Sequence, residues 1–133
     1  MGFGGHQILD KGFVANEALT KFRVVKIGAG VRNVDAIDAD GQQGIGVVQE
    51  TASAADATAG RVVDVRLLGV SLCEADAAVT AGAPVRAMDT GTVAALAATT
   101  ADQPIVGIAL EAAADAGDWI AVLLTPGVEN TTT

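Results

Sequence analysis

One histidine and one cysteine limit the chemistry open to this chain of 133 residues. His6 sits among Gly2, Gly4, Gly5 and Gly12. A single histidine excludes both a triad with a histidine base and a multi-histidine metal site. Cys73 follows an apolar run from Leu67 to Leu72, with no histidine near it in sequence. It reads as a small buried hydrophobe, not a nucleophile, and alone it forms no internal disulfide. Carboxylates are present throughout, but none falls in a recognisable acid–base motif. The residues point to a protein that is not an enzyme and has no cofactor and no metal.

Four short motifs imitate sites. Gly28-Ala-Gly-Val-Arg-Asn33 resembles a phosphate-binding glycine loop, but Asn33 replaces the third glycine and a strand follows where a helix is needed. Asp38-Ala-Asp-Gly41 resembles part of a calcium loop. With Gly41 at loop position six, Ala36 and Val47 fall where oxygen ligands belong, so the segment reads as a turn. Ala87-Met88-Asp89 resembles the turn of biotinyl and lipoyl carriers, yet Asp89 stands where the modified lysine must be. Asn130-Thr-Thr132 fits a glycosylation acceptor, but MGFGGHQILDKG at the N-terminus has no secretory pattern.

The elements around these motifs read as β throughout. Hydrophobic residues make up 50% and charged residues 18%, enough to bury a core. No apolar run approaches the roughly 18 residues of a membrane span, so the expectation is a soluble chain made in a cytoplasm, not membrane-bound. The net charge of −8 repels phosphate backbones, and only Phe3, Phe13, Phe22 and Trp119 are aromatic, so nucleic acid is not an expected partner. All eight Lys and Arg lie from Lys11 to Arg86, and only acids follow. That polarity suits docking on a charged surface. So apolar a composition also predicts an oligomer or an obligate partner.

From Phe22 onward, short β segments alternate with Gly, Asn and Asp turns. The segments are Phe22–Ile27, Val31–Ile37, Ile45–Glu50, Arg61–Leu72, Pro84–Met88, Thr92–Leu96, Ile105–Glu111 and Asp118–Leu124. In Arg61–Leu72 the apolar phase passes from Val63, Val65 and Leu67 to Leu68, Val70 and Leu72, which predicts a bulge or bend. Thr51–Ala59 and Ala112–Ala116 are alanine-rich loops with room for a short helix.

Gly46-Val-Val-Gln-Glu50, a loop, then Gly60-Arg-Val-Val-Asp-Val-Arg-Leu-Leu68 is echoed by Gly107-Ile-Ala-Leu-Glu111, a loop, then Gly117-Asp-Trp-Ile-Ala-Val-Leu-Leu124. Two such copies predict an all-β fold: a small barrel or sandwich built from two similar half-repeats. It spans residues 19–128, after an extended N-terminal arm at 1–18 and before a flexible tail at 129–133. In the arm, glycines separate the large apolar residues Phe3, Ile8, Leu9 and Phe13. That pattern describes a chain that orders on a partner, or a first strand packed on its own domain.

The segment order FRVVKIG, GIGVVQE, GRVVDVRLLGV, AGAPVRAMDTGTV, PIVGIAL and AGDWIAVLLTPG resembles the head-decoration, or capsid cement, proteins of tailed phages, from Phe22 to Gly127. The resemblance implies a structural virion protein without catalytic residues. It implies a homotrimer at three-fold and quasi-three-fold positions on the outer capsid surface, tying neighbouring copies of the major capsid protein together. Residues 1–18 would then be a capsid-binding arm. The alternatives are another phage structural accessory domain (shell, tail or baseplate) and a non-viral ligand-binding or carrier-like barrel.

Overall fold

In the computed structural model, residues 5–97 and 102–129 are described. The chain is all-β and forms one nine-stranded sheet with a sandwich-like fold. The strands are β1 (His6–Ala15), β2 (Val24–Ile27), β3 (Asn33–Ala36), β4 (Gly46–Val48), β5 (Val62–Glu74), β6 (Pro84–Ala87), β7 (Val93–Ala95), β8 (Gln103–Ala109) and β9 (Trp119–Glu129). Among the described residues a single α-helix, α1 (Ala54–Thr58), lies in the first alanine-rich loop, and Ser53 and Asp56 cap its start reciprocally. The second such loop, around Ala112–Ala116, holds turns and no helix.

The strand pairings close two circuits that share β5. The first runs β1–β3–β2–β4–β5 and returns to β1. The second runs β5–β9–β8–β6–β7 and returns to β5 through a bridge between Ala75 and Val93. The half-repeats therefore recur as topology and register. Val25 pairs with Ala36 and Gly46, as Val85 pairs with Ala95 and Gly107. Leu19 bridges Ala52, as Val79 bridges Ala113. Phe13 faces Val63 across β1 and β5, as Cys73 faces Ile120 across β5 and β9.

Two apolar clusters fill the core, and the second also takes in Val24, Ile37 and Val47 from the first half of the chain. Phe13, Ala15, Leu19, Val25, Val34, Val48, Ala52, Val63 and Val65 fill the first. Cys73, Ala75, Val79, Val85, Val93, Ala109, Ala113, Ile120 and Val122 occupy the matching places in the second. The repeated glycine of each copy has one cause. A Cβ on Gly46 would run into the carbonyl of Arg66, and one on Gly107 into that of Leu123. The short strands β4 and β8 cross β5 and β9 so closely that no side chain fits between.

The structure gives residues 6–15 a place that the arm description did not. They form β1, antiparallel to β5 from His6–Val70 to Val14–Val62. The ladder to β5 supplies the backbone hydrogen bonds that local sequence does not provide. The bulge expected in β5 is present: Leu67 is skipped between the pairs Leu9–Leu68 and Asp10–Arg66. The inward face does not change phase there, however. Val63, Val65, Gly69, Ser71 and Cys73 are buried, while Leu68, Val70 and Leu72 lie on the opposite, outer side. Met1–Gly4 and Asn130–Thr133, which include Phe3 and most of the tail, lie outside the described residues.

Candidate functional site

The titratable groups of this fold are occupied in holding it together. Burial pushes the Cys73 thiol up to about 12, so it stays protonated and unreactive at neutral pH. Among the described residues no three His, Cys, Asp or Glu side chains are grouped to hold a metal ion. Arg66 clamps Asp10 at 2.8 Å and Arg23 clamps Glu74 at 3.1 Å. Arg61 bridges Glu50 and Asp56. Asp118 accepts the N–H groups of Ala114 and Asp115, and Glu111 accepts that of Ala121.

The site-like motifs resolve into turns. Gly28–Asn33 is the hairpin between antiparallel β2 and β3, closed by the Gly28 N–H donating to the Asn33 carbonyl. Asp38 is bonded by Lys26 Nζ at 2.9 Å, and its backbone N–H donates to Gln42. The Lys26 hydrogen bond, then that of Gln42, holds the Asp38 carboxyl below its ordinary range. Asp89 opens a 3-10 turn, and its N–H donates to Asp40.

What the fold exposes is apolar. The outward side of β1, β5, β9 and β8 can be read row by row from the register. Leu9 is opposite Leu68. His6, Val70, Leu123, Ile108 and Pro84 make the next row. Leu72 is opposite Ala121, whose carbonyl accepts the Leu110 N–H, and Glu74 is opposite Trp119. Leu68, Leu110, Trp119 and Leu123 are exposed by 42%, 50%, 49% and 37%: Leu68 is at the bulge of β5, Trp119 and Leu123 are on β9, and Leu110 directly follows β8. Four strands about 4.8 Å apart, over some eight residues at about 3.3 Å each, give a face on the order of 15 by 25 Å. A soluble monomer rarely exposes a larger contiguous apolar patch.

An aromatic corner borders this face. Trp119 and Phe22 meet edge to face at 4.9 Å, and Lys21 Nζ lies 5.3 Å from one ring and 5.5 Å from the other. Phe22 holds a left-handed φ of 63°, where the second half has Gly82 at 87°. A bulky residue keeps such a backbone only where its surroundings enforce it. Here the Phe22 carbonyl accepts the Glu74 N–H and the ring is held by Trp119.

Of the four expected anchors, Ile8 and Leu9 lie exposed on β1 at 73% and 44%. Phe13 is instead in the core of the first circuit, because it lies opposite Val63 on the inward side. No strand pairs with the other edge of β1 from residue 7 to residue 13 among the described residues. The outer face itself escaped the sequence reading. Its signal was present: β5 carries apolar residues at both parities, which a strand needs only when both of its sides are covered.

A family description matches residues 4–124: phage cement protein. The chain belongs to the phage cement protein family. It is thus a phage structural protein associated with the capsid. Among solved structures, the head fiber gp8.5 N base of bacteriophage phi29 shares the fold. The two superpose with a TM-score of 0.68 over 91% of this chain and 98% of that one, at 14% identity. No curated protein matches.

Proposed function

We propose that this cement protein binds the outer surface of a phage capsid as a trimer, at three-fold and quasi-three-fold positions, and stabilises the shell. The observation that carries the reading is the family match across residues 4–124. The physical role is mechanical and asks for no catalysis. Packaged DNA pushes outward, and a ligand that prefers the intact shell stabilises it by mass action. Three copies held together engage several shell subunits at once, so weak single contacts gain from effective concentration.

The edge of β1 that no described strand pairs, from residue 7 to residue 13, suits the shell contact. An exposed strand edge accepts another chain by main-chain hydrogen bonds, and Ile8 and Leu9 beside it supply side-chain anchors. Adding purified protein to undecorated particles should raise their resistance to heat or chelator. Cryo-EM maps should show outward knobs at three-fold and quasi-three-fold positions. Density on the DNA-facing surface, or equal fragility with and without the protein, would overturn the proposal.

A further inference from the structure

We infer that the outer face of β5, β9 and β8 is the surface through which copies of this chain associate with one another. This deepens the trimeric reading above and rests on it only for the number of copies.

The face is apolar across its central rows: Leu68, Val70, Leu72, Ile108, Leu110 and Leu123. These residues alternate with Ser71, Cys73, Ile120, Val122 and Leu124, which are buried. Strands β5 and β9 are therefore apolar on both sides, as in a sheet that is covered twice. Within the chain the described residues cover one of those sides fully and the other only in part: Ala121 is buried and Val70, Leu72 and Ile108 are half-buried, while Leu68, Leu110 and Leu123 stay exposed.

Charge selects the occupant. The chain carries a net −8, so two copies repel each other through most surfaces. The carboxylates that flank its central rows, Asp10 and Glu74, are each held by an arginine, Arg66 and Arg23, and the exposed Asp64 lies beyond them on the same side of β5. Its central rows, from Leu68 to Leu72, thus carry no carboxylate on an acidic molecule. It is the surface on which a like-charged copy can approach with least repulsion. Around a three-fold axis, each face would turn inward and meet both neighbours, with Leu123 and Val70 in its central row.

Sedimentation velocity of the full chain at about 100 μM, without particles, tests this. The unaltered protein should sediment as an oligomer. Leu123→Glu sets one carboxylate per copy in the contact, and its dissociation midpoint should rise by about a hundredfold or more. Far-UV circular dichroism should keep its strand signal, because Leu123 is already partly exposed. Leu68→Lys makes the same test from another row should Leu123→Glu fail to fold. Val31→Asp, a change at a loop residue 86% exposed, should leave the oligomer intact. A monomeric parent protein, or a folded Leu123→Glu that keeps the parent's mass, would overturn the inference. So would a Leu123→Glu oligomer that no longer binds particles, since the face would then belong to the shell. An oligomer that dissociates in Leu123→Glu but whose parent form fails to protect particles would support this inference and refute the cementing role.

Discussion

Gln103 shows how a single polar side chain is accommodated in so apolar a fold. It is buried, with its Oε1 accepting the Ala97 N–H at 2.8 Å and its Nε2 donating to the Ala97 carbonyl at 2.6 Å. The amide thus satisfies both backbone groups of one residue between β7 and β8. Gln103→Ala should cost about 1–3 kcal/mol, because Ala97 loses both of these partners. A urea titration read by circular dichroism measures it. Asp56 offers a second test at this scale. The Ser53 N–H, then the Arg61 guanidinium, holds its carboxyl below the ordinary 3.8. A depressed folded value stabilises above the unfolded value, and the contribution disappears as pH falls through the folded value. Asp56→Asn should therefore lower the urea midpoint at pH 7 and converge on the parent protein in strong acid. An equal gap at both ends of that range would contradict the assignment.

At the scale of elements, β1 combines two roles along one strand. Its end, Phe13 to Ala15, closes the first circuit against β3 and β5 and fills the core. Its beginning is largely exposed, and from residue 7 to residue 12 it pairs on one edge only among the described residues. Truncations should separate the two. Removing residues 2–8 should leave thermal stability nearly unchanged and weaken particle binding. Removing residues 2–14 deletes Phe13 from the core, a loss of about 3–5 kcal/mol by analogy with Phe→Ala substitutions. Melting curves of the two truncations, beside their retention on particles, check this. Equal melting temperatures would show that the first circuit closes without β1.

For the molecule as a whole, the shared strand is decisive. Because β5 belongs to both circuits, neither half keeps a complete set of pairings if the other opens. Unfolding should be a single transition. Fluorescence of Trp119, the one tryptophan, reports on the second circuit, while circular dichroism reports on both. Val65→Ala, a substitution in the core of the first circuit, should move the two midpoints together. Separate midpoints would mean that the halves are independent units. The same architecture sets two apolar clusters back to back along β5 and leaves its outer side, with that of β9, as an extended face.

The eight β segments from Phe22 to Leu124, their turns and the duplication were legible in the sequence, because strand and turn preferences are local. The glycine–strand echo at Gly46 and Gly107 carried its structural cause within it. The strand β1 was legible only as one of the readings of residues 1–18, beside an arm that orders on a partner. Its glycines lower local β preference, and it exists because β5, about 50 to 60 positions further along the sequence, supplies its ladder. Nor could the sequence say which parity of β5 faces inward, since Val63 and Val65 are as apolar as Val70 and Leu72. Only closure of the circuits decides that: it turns Val63, Val65 and Cys73 to the cores and leaves Leu68, Val70 and Leu72 outside. Burial is a property of two packed surfaces, and a single strand's sequence specifies one of them.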